Sequence, residues 1–349
     1  MMDEKMKTVV ICGVGQLAVE EYPVPACPAD KILVRVEACA ICTWEQRVYK
    51  GINKVEYPFI GGHEIAGRIA QIGAQVDGRI WHAGDKVVCG VITSCDNCPQ
   101  CKAGDSQACM YFNHSKLQPG MPYHGMAGMS SYYLADPRKC FHYDGIPAVQ
   151  AALTEPVTCV LHAVEAADIH FGDLVVVIGC GIMGQLNALL AARRGAMVVV
   201  SDTNPQRTDL ALRLGAKYAI NPAQEDLRER VAAISKGEMA NVVIDTTPVV
   251  SVVTDAIGCL ANCGKVVFYS SFHPAVPVPF DPNMVHGHNL QFIGSANSNE
   301  RDFIRATRLL SEGVVDLAPF VSATYPVEQA QQAFDAACQG DKFRVVLTF

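Results

Sequence analysis

The fold of this chain is decided by the stretch LVVVIGCGIMG at residues 174–184, which is followed by MVVVSD at residues 197–202. Both apolar runs are short and rich in β-branched residues, which is typical of strands buried on both faces of a parallel sheet. The glycines after the first run predict a tight turn into a helix. The stretch therefore predicts strand, glycine turn, helix and strand, the unit from which doubly wound α/β domains are built.

The glycine turn has the spacing of a dinucleotide-binding motif, because Gly179, Gly181 and Gly184 fit the pattern G-x-G-x-x-G. In that motif the first glycine makes the turn, the second lets the backbone approach a pyrophosphate, and the third packs the helix against the strand. The phosphates bind at the free amides of the helix N-terminus, where Ile182 and Met183 lie. An ordinary strand-to-helix turn uses glycines in the same way, so the spacing alone leaves both interpretations open.

An acidic residue at the end of the second strand favours the cofactor interpretation. Asp202 lies at about the distance from the glycine turn where a carboxylate binds the ribose of NAD. Such a carboxylate accepts hydrogen bonds from both ribose hydroxyls and repels the 2′-phosphate of NADP, so the sequence favours NAD. Arg207 keeps NADP as the less favoured alternative, because its guanidinium could bind a phosphate or lie against the adenine. Its other interpretation is a solvated helix arginine.

The composition is that of a globular protein of about two domains. The chain has 349 residues, of which half are hydrophobic, and a formal net charge of −7 without long runs of one sign. This charge argues against nucleic acid or an anionic membrane surface as a partner, and no apolar run approaches transmembrane length. Residues 1–5 carry acids and lack the apolar segment of a targeting peptide, so a cytoplasmic location is expected.

The first hundred residues predict a small, mostly antiparallel β domain. Short runs rich in Val and Ile alternate with proline and glycine turns, for example at residues 23–25 and 83–85. The predicted strands are Val9–Cys12, Ile32–Glu37, Ile65–Ile72 and Lys86–Val91.

Two segments of this domain carry candidate zinc ligands. Cys42 is followed about twenty residues later by the pair His63-Glu64. Thiolate and imidazole nitrogen suit zinc, and a catalytic zinc site needs three protein ligands and one open position. The alternative is a hydrogen-bonded histidine in a turn, which is the commoner state of a single histidine.

Four further cysteines form a denser cluster, with Cys95, Cys98, Cys101 and Cys109 in the pattern C-x-x-C-x-x-C-x₇-C. Four thiolates this close together need a cation, and zinc is the natural one for a closed structural site. An iron–sulfur cluster or free thiols are the alternatives, although such clusters usually differ in their closing spacing. Fifteen cysteines in a chain without a signal peptide indicate reduced thiols and metal binding more than a disulfide framework.

Taken together, these motifs resemble the zinc-dependent medium-chain dehydrogenase/reductase superfamily, to which the alcohol dehydrogenases belong. The resemblance covers nearly the whole chain, and its motifs occur in the family's order. The Glu-Pro pair at 155 and 156 is more similar to the sorbitol (polyol) and threonine dehydrogenase branches. The matching motifs are the Cys42 segment, Gly61-Gly62-His63-Glu64, the four-cysteine lobe, Leu153-Thr154-Glu155-Pro156 and the glycine turn.

The resemblance implies a GroES-like β-barrel catalytic domain over residues 1–154, including the structural zinc lobe. It also implies a Rossmann NAD-binding domain over 155–294, a return to the catalytic domain over 295–349, and a homodimer or homotetramer. The sequence agrees, since apolar runs and helical stretches alternate after Asp202. The expected strands are Tyr218–Ile220, Val242–Asp245, Lys265–Tyr269, Leu290–Gly294 and Val345–Phe349, and the expected helices begin at Pro205, Glu300 and Val327.

The activity implied is NAD-linked oxidation of a secondary alcohol, such as a polyol, sugar alcohol or cyclitol, by hydride transfer. A catalytic zinc held by Cys42, His63 and Glu155 would stabilise the alkoxide, and the four-cysteine site makes two zinc ions per chain. Glu64 is expected to support these ligands or to exchange with one of them, because branches of the family differ over which acid contacts the metal. As purely structural alternatives, Glu64 braces a loop and Glu155 caps a helix.

The chain departs from the family pattern where the substrate is expected. The family places a Ser or Thr hydroxyl two residues beyond the first ligand, where it relays the alcohol proton, and this chain has Trp44. A histidine is often found five residues beyond the ligand, and here it is Arg47. One hypothesis is that Trp44 stacks on a sugar or cyclitol ring and Arg47 meets an anionic or polyhydroxylated substrate. The alternative is a packing role for Trp44 and a surface role for Arg47. His114 is interpreted as a polar loop residue.

Three alternatives to a polyol dehydrogenase stay open at this point. They are an L-threonine dehydrogenase, a simple alcohol dehydrogenase, and a relative that binds the cofactor for redox sensing without catalysis. Retention of Cys42, His63, Glu64 and Glu155 favours an active enzyme, because a non-catalytic protein has no physical need of a metal site.

Overall fold

The computed structural model describes residues 5–91 and 94–349, so the charged start of the chain lies, apart from Lys5, outside the described residues. The chain divides into two compact units. One unit comprises the residues up to Thr158 together with Ser298–Phe349, and the other comprises Cys159–Asn297. The sequence places the same two boundaries slightly earlier, after residues 154 and 294. No helix of the described ranges combines the length and apolarity that crossing a bilayer requires.

The first unit begins with short strands joined by turns, as the Val- and Ile-rich runs predict. Its strands before residue 148 are β1 (Lys5–Gly13), β2 (Gln16–Pro23), β3 (Ile32–Ala40), β4 (Phe59–Ile60), β5 (Glu64–Ile72), β6 (Lys86–Gly90), β7 (His124–Gly125), β8 (Tyr132–Ala135) and β9 (Cys140–His142). Its helices there are α1 (Thr43–Tyr49), α2 (Pro99–Ala103), α3 (Ala148–Ala151), and short 3-10 turns at Ser106–Ala108 and Pro137–Lys139. Helix α4 (Thr154–Ala166) then crosses the boundary between the units.

The second unit, all of whose residues are described, alternates strands with helices. Its strands are β10 (Leu174–Ile178), β11 (Met197–Ser201), β12 (Tyr218–Ile220), β13 (Ala240–Asp245), β14 (Leu260–Phe268) and β15 (Gln291–Gly294). Its helices after α4 are α5 (Ile182–Arg193), α6 (Pro205–Arg213), α7 (Leu227–Ile234), α8 (Val250–Gly258) and α9 (Pro282–Gly287). The strands form one parallel sheet in the order β12-β11-β10-β13-β14-β15. This order reverses direction beside β10, so the predicted doubly wound sheet is confirmed.

Two strands of this sheet start earlier than the sequence predicts, β13 at Ala240 instead of Val242 and β14 at Leu260 instead of Lys265. Within β14, the residues Asn262-Cys263-Gly264 are typical of a turn. In the structure Cys263 has a φ of +63°, and the pairing with β13 shifts register between Leu260 and Lys265. The turn-like residues therefore form a bulge within β14 rather than its start.

The chain returns to the first unit after Asn297. The elements there are α10 (Glu300–Ser311), a 3-10 turn (Ala318–Phe320), β16 (Val321–Pro326), a second 3-10 turn (Val327–Gln329), α11 (Ala330–Ala337) and β17 (Arg344–Thr348). Strand β17 pairs with β3, where Val346 lies opposite Ala40. In the described ranges the unit has one sheet in the order β2-β1-β4-β7 and another in the order β16-β17-β3-β5-β6-β9, with β8 also paired to β3. The first unit is thus rich in β-strands and includes the C-terminal strand β17.

Candidate active site

Cys42 lies at the N-terminus of α1, two residues beyond the end of β3. Its backbone is extended, and its side chain makes no capping hydrogen bond to the helix. The first turn of α1 carries three other residues of the candidate site, which are Thr43, Trp44 and Glu45. Thr43 is exposed, whereas Glu45 is fully buried.

His63 and Glu64 are placed by the glycine pair that precedes them. Gly62 has a φ of +94°, and a Cβ there would lie 2.4 Å from the backbone nitrogen of Met129. Only glycine tolerates both this conformation and this close approach. The turn leads directly into β5, whose register sets Glu64 opposite Ala40 at the end of β3. The pairing of β3 with β5 thus brings the His-Glu pair beside Cys42.

Cys42, His63 and Glu64 form a compact, largely buried group. One donor atom from each of them lies within 4.8 Å of the other two. His63 is 5% exposed, and Glu64 is completely buried. Thiolate, imidazole and carboxylate are the three ligand types that zinc takes in proteins, and three such ligands leave one coordination position open. The donor set therefore fits a catalytic zinc ion.

A carboxylate fixes the orientation of His63. Glu45 Oε1 lies 2.8 Å from His63 Nδ1 and accepts a hydrogen bond of 2.9 Å from the Gly62 amide. A proton on Nδ1 leaves Nε2 free for a metal, which is the usual arrangement of a carboxylate behind a metal-binding histidine. Glu45 Oε2 is buried and has no hydrogen-bond partner within the described residues.

The charges within the group perturb its ionisation. Burial opposes protonation of His63, but Glu45 and Cys42 outweigh it and raise the pKa of His63 well above its usual value. Burial and the Glu64 charge raise the pKa of the Cys42 thiol, although Arg344 and His63 oppose them. Because zinc binds thiolate and neutral imidazole, metal binding here is expected to release protons.

Glu64 is paired with an arginine from the far end of the chain. Arg344, the first residue of β17, donates from Nε and Nη2 to the two oxygens of Glu64, each at 2.9 Å. Its Nη2 atom also lies 3.6 Å from Cys42 Sγ. Both members of the ion pair are buried, with side-chain exposures of 3% and 0%. Glu64 is therefore neutralised by Arg344 while its carboxylate stays within the candidate metal group.

Glu155 lies outside the compact group of three. It occupies the first turn of α4 and is partly exposed. Its charge contributes to raising the pKa of Arg344, after the larger effects of burial, which opposes the shift, and of Glu64 and Cys42. The Thr158 hydroxyl donates to the Glu155 carbonyl at 2.6 Å. Glu155 is thus near the ion pair, and its direct binding to zinc stays a prediction.

The two unusual residues of α1 have different surroundings. Trp44 is partly buried, and its ring stacks on that of His114 with centroids 4.9 Å apart and an interplanar angle of 17°. It also contacts Phe59 at 5.7 Å. One face of Trp44 is therefore already covered by a side chain. The backbone carbonyl of Arg47 accepts hydrogen bonds from the amides of Ile52 and Asn53, just after the C-terminus of α1.

The four-cysteine cluster has the dimensions of a zinc site. The sulfur–sulfur distances are 3.9 Å between Cys95 and Cys101, 3.3 Å between Cys98 and Cys101, and 4.0 Å between Cys98 and Cys109. A tetrahedron with zinc–sulfur bonds of about 2.3 Å has edges of about 3.8 Å. The backbone amides of Cys101 and Met110 lower the pKa of Cys98 to about 6, which favours its thiolate.

The glycine turn of the second unit has the features that a dinucleotide requires. Gly179 has a φ of +88°, and a Cβ on Gly184 would lie only 1.7 Å from the Gly179 carbonyl oxygen. A Cβ on Gly181 would meet no atom within 4 Å, so the helix N-terminus at Ile182 opens onto free space. Gly184 thus provides the close helix–strand packing, and Gly181 leaves room for a phosphate. Met183, the second residue of α5, is partly exposed at this opening.

Asp202 and Thr246 hold the glycine turn in place. Asp202 Oδ2 accepts the Cys180 amide at 2.6 Å, and its Oδ1 accepts the Asn204 amide at 2.8 Å. The Thr246 hydroxyl lies 2.8 Å from the Ile178 carbonyl and 3.1 Å from that of Gly179.

Arg207 is also close to this turn. Burial and the Asp202 charge raise the pKa of Cys180 to about 12, and the charge of Arg207 opposes them. The acidic and the basic candidate residues for the adenosine half of a cofactor therefore lie together.

Comparison with known proteins identifies the family. The profile described as alcohol dehydrogenase GroES-like domain matches residues 28–147, and that described as zinc-binding dehydrogenase matches residues 183–312. An erythritol/L-threitol dehydrogenase of Mycolicibacterium smegmatis is 30% identical, with 97% of this chain and 95% of the relative covered. The chain belongs to the zinc-dependent medium-chain dehydrogenases. This dehydrogenase is thus an oxidoreductase that acts on CH–OH groups with a nicotinamide cofactor.

Two further comparisons place this dehydrogenase in the polyol branch of the family and extend the match to its fold. A sorbitol dehydrogenase of Halalkalibacterium halodurans is 29% identical, with 96% of each chain covered. A zinc-binding dehydrogenase of Sinorhizobium meliloti, solved with NADP bound, has a TM-score of 0.90 at 26% identity and covers 99% of this chain and 100% of its own. The predicted combination of a GroES-like domain and a Rossmann domain is therefore confirmed.

Two residues in contact with the candidate metal group, Glu45 and Arg344, are absent from the sequence-based prediction. Glu45 could have been predicted from the sequence, because an acidic residue three positions after Cys42 at the start of a helix lies on the same side as the ligand. Arg344 could not have been predicted, because the sequence shows only an arginine in front of an apolar strand. His114 is in a loop, as predicted, but its ring lies against Trp44.

Replacing Glu45 with glutamine should weaken zinc binding at the Cys42 group about 10- to 100-fold, because His63 loses the carboxylate that orients it. Competition with a zinc chelator, monitored at both sites of the chain, measures the change. The four-cysteine site serves as an internal reference, and the exposed Glu56→Gln is the matched control variant. Unchanged affinity in the Glu45 variant would show that His63 is oriented by other contacts.

Proposed function

We propose that this dehydrogenase oxidises a secondary alcohol group of a polyol, sugar alcohol or cyclitol to a ketone and transfers the hydride to NAD. The observation that carries the proposal is the buried group of Cys42, His63 and Glu64, braced by Glu45 and Arg344. A zinc ion bound there supplies Lewis acidity, which favours ionisation of the substrate hydroxyl. Cys42 and His63 hold that ion, and Glu155 is the third ligand we propose.

The proposal includes a second zinc ion in each chain. It would bind Cys95, Cys98, Cys101 and Cys109, whose sulfur atoms all lie within 4.8 Å of one another. This second ion has no open position for a substrate, so its role is structural. Two zinc ions per chain are therefore the expected metal content.

A polyhydroxylated substrate is supported by the substrates for which two relatives are named. Both curated relatives described above are named for polyol substrates. Position 44 carries an indole, which donates a hydrogen bond but cannot accept a proton, and the neighbouring Thr43 is exposed. The hydroxyl proton therefore leaves through water or through another side chain.

Asp202 supports NAD over NADP as the cofactor. Its carboxylate lies at the end of β11 and is anchored to the Cys180 and Asn204 amides, so it cannot easily swing away from a ribose. A 2′-phosphate beside this carboxylate would suffer like-charge repulsion, which costs several kcal/mol. Arg207 would offset part of this repulsion, so NADP is the less favoured alternative.

Replacing Asp202 with asparagine should shift the ratio of kcat/KM values for NAD and NADP toward NADP by at least about tenfold. Asparagine keeps one oxygen that can still accept the Cys180 amide of the glycine turn, while the negative charge and the contact with the Asn204 amide are lost. Steady-state kinetics with both cofactors measures the shift. The exposed Asp209→Asn on α6 is the control, and a ratio that stays constant would refute a role for Asp202 in cofactor selection.

The decisive experiment is NADH formation by zinc-loaded protein with polyols, cyclitols, sugar phosphates, simple alcohols and threonine, with parallel NADP reactions. Activity that is greatest with NAD and a polyol and is abolished by a chelator would support the proposal. Threonine or a simple alcohol as the best substrate would instead identify the corresponding dehydrogenase. Binding of cofactor and two zinc ions without turnover of any alcohol would favour the non-catalytic alternative.

We further propose that the enzyme is a cytoplasmic homodimer or homotetramer. All fifteen cysteines are free thiols in the structure, which suits a reducing compartment. Light scattering coupled to size-exclusion chromatography tests the oligomeric state, and fractionation of cells that express the tagged chain tests the location.

A further inference from the structure

The loop after the four-cysteine cluster places an imidazole ring against Trp44, two residues after the proposed ligand Cys42. His114 stacks on Trp44 at 4.9 Å with nearly parallel rings, and the edge of Phe112 approaches it at 4.5 Å with an interplanar angle of 82°. Aromatic rings therefore contact His114 on two sides. Trp44 follows the proposed ligand Cys42 by two residues, so the ring on which His114 stacks belongs to the same helix turn as that ligand.

The nitrogens of His114 are unused by the protein. The ring is partly buried, but it makes no hydrogen bond to any residue in the described ranges. A half-buried imidazole without partners is costly unless water or a ligand satisfies it. The neighbouring aromatic side chains Trp44 and Phe112 fix the ring without satisfying its nitrogens.

The charges of His63 and Glu45 also affect the pKa of His114. Burial, together with the charge of His63, lowers the pKa of His114 to about 4, against a smaller opposing effect of Glu45. A zinc ion held by Cys42 and His63 would add positive charge and disfavour protonation of His114 further. The ring is thus neutral at physiological pH, with one nitrogen as a donor and the other as an acceptor.

We infer that His114 is a substrate-contacting residue that hydrogen-bonds a hydroxyl group adjacent to the one being oxidised, while Trp44 holds the imidazole in position. The inference rests on the proposed function, because it assigns a polyhydroxylated substrate to the same site. A neutral ring that both donates and accepts matches a hydroxyl group, which does the same.

The test compares two secondary alcohols with the same carbon skeleton, 2,3-butanediol and 2-butanol, together with erythritol. His114→Phe keeps an aromatic ring against Trp44 but removes both nitrogens. We expect kcat/KM for erythritol and 2,3-butanediol to fall about 10- to 100-fold, mainly through KM, and that for 2-butanol to change less than about threefold. His114→Gln, which restores a donor and an acceptor, should recover part of the loss. His124→Phe, at an exposed histidine of the same unit, is the matched control.

A binding measurement separates failure of this inference from failure of the proposed function. The chain has two tryptophans, so Trp81→Phe leaves Trp44 as the only one, and its fluorescence reports directly on the stack. Zinc-loaded protein that oxidises no alcohol would refute the proposed function, and erythritol titrations of this fluorescence would still test His114. Weaker erythritol binding in the His114→Phe background supports the inference. Equal binding, no binding at all, or equal losses for the diol and 2-butanol would overturn it.

Discussion

Replacing Cys42 with alanine should remove one of the two zinc ions that we propose for each chain and lower kcat/KM for alcohol oxidation at least about 1000-fold. Of the proposed ligands only His63 and Glu155 would remain, and the nearby Glu64 is engaged by Arg344. Loss of the thiolate therefore leaves too few ligands to hold zinc. Lewis acidity contributes several kcal/mol to such reactions, and about 1.4 kcal/mol corresponds to a factor of ten in rate. Metal analysis and steady-state kinetics on the same preparation measure both effects.

Cys39→Ala is the matched control for this variant. Cys39 is a fully buried cysteine three residues before Cys42, and its thiol lies 3.7 Å from the Ala40 carbonyl rather than in the metal group. Its replacement leaves a cavity of the same size, so it should cost some stability but keep both zinc ions. Equal loss of activity in the two variants would mean that packing, and not ligation, explains the effect. A Cys42 variant that keeps both zinc ions would contradict the site assignment.

The second unit was predictable in detail because its signals are local. Strand β10 and strand β12 begin and end at the predicted residues, Leu174–Ile178 and Tyr218–Ile220. Both are short runs of apolar character bounded by polar or glycine residues, although β10 is buried throughout and β12 is an edge strand with Tyr218 exposed. Helix α6 begins as expected, since Asn204 accepts amides of its first turn and Pro205 occupies its first position. The early start of β14 was missed because a bulge with a positive φ at Cys263 has the sequence of a turn.

The candidate site was only partly predictable, because sequence spacing identifies ligands better than the residues that support them. Cys42 and His63 are indicated by their metal-binding chemistry, and the four cysteines by their density. Arg344 lies 280 residues from Glu64 and reaches it through the pairing of β17 with β3. Nothing near position 344 indicates that pairing, which depends on the register of the folded sheet. The stacking of His114 on Trp44 was unpredictable for a similar reason, since only the fold brings its loop against that ring.

The Arg344–Glu64 ion pair gives the second large expected effect. Arg344→Met should destabilise the zinc-free protein by about 3–5 kcal/mol, because Glu64 is then a buried carboxylate without a partner. The penalty should be smaller in the zinc-loaded protein, since the Glu64 carboxylate lies within the candidate metal group and the ion can neutralise it. Urea denaturation followed by tryptophan fluorescence reports on the relevant unit, because Trp44 and Trp81 both belong to it.

Adding Glu64→Gln to the Arg344→Met variant should restore most of the lost stability, because it removes the unpaired charge. If the loss came from the missing packing of the arginine stem, the double variant would be as unstable as the single one. Arg79→Met is the matched control, since Arg79 pairs with Asp77 at the surface and is 90% exposed, and its replacement should have little effect.

Zinc affinity tests whether Glu64 also binds the metal when Arg344 is absent. If Glu64 moves onto the metal once Arg344 is gone, the single variant binds zinc more tightly than the double variant, whereas equal affinities would mean that Glu64 acts only through the ion pair.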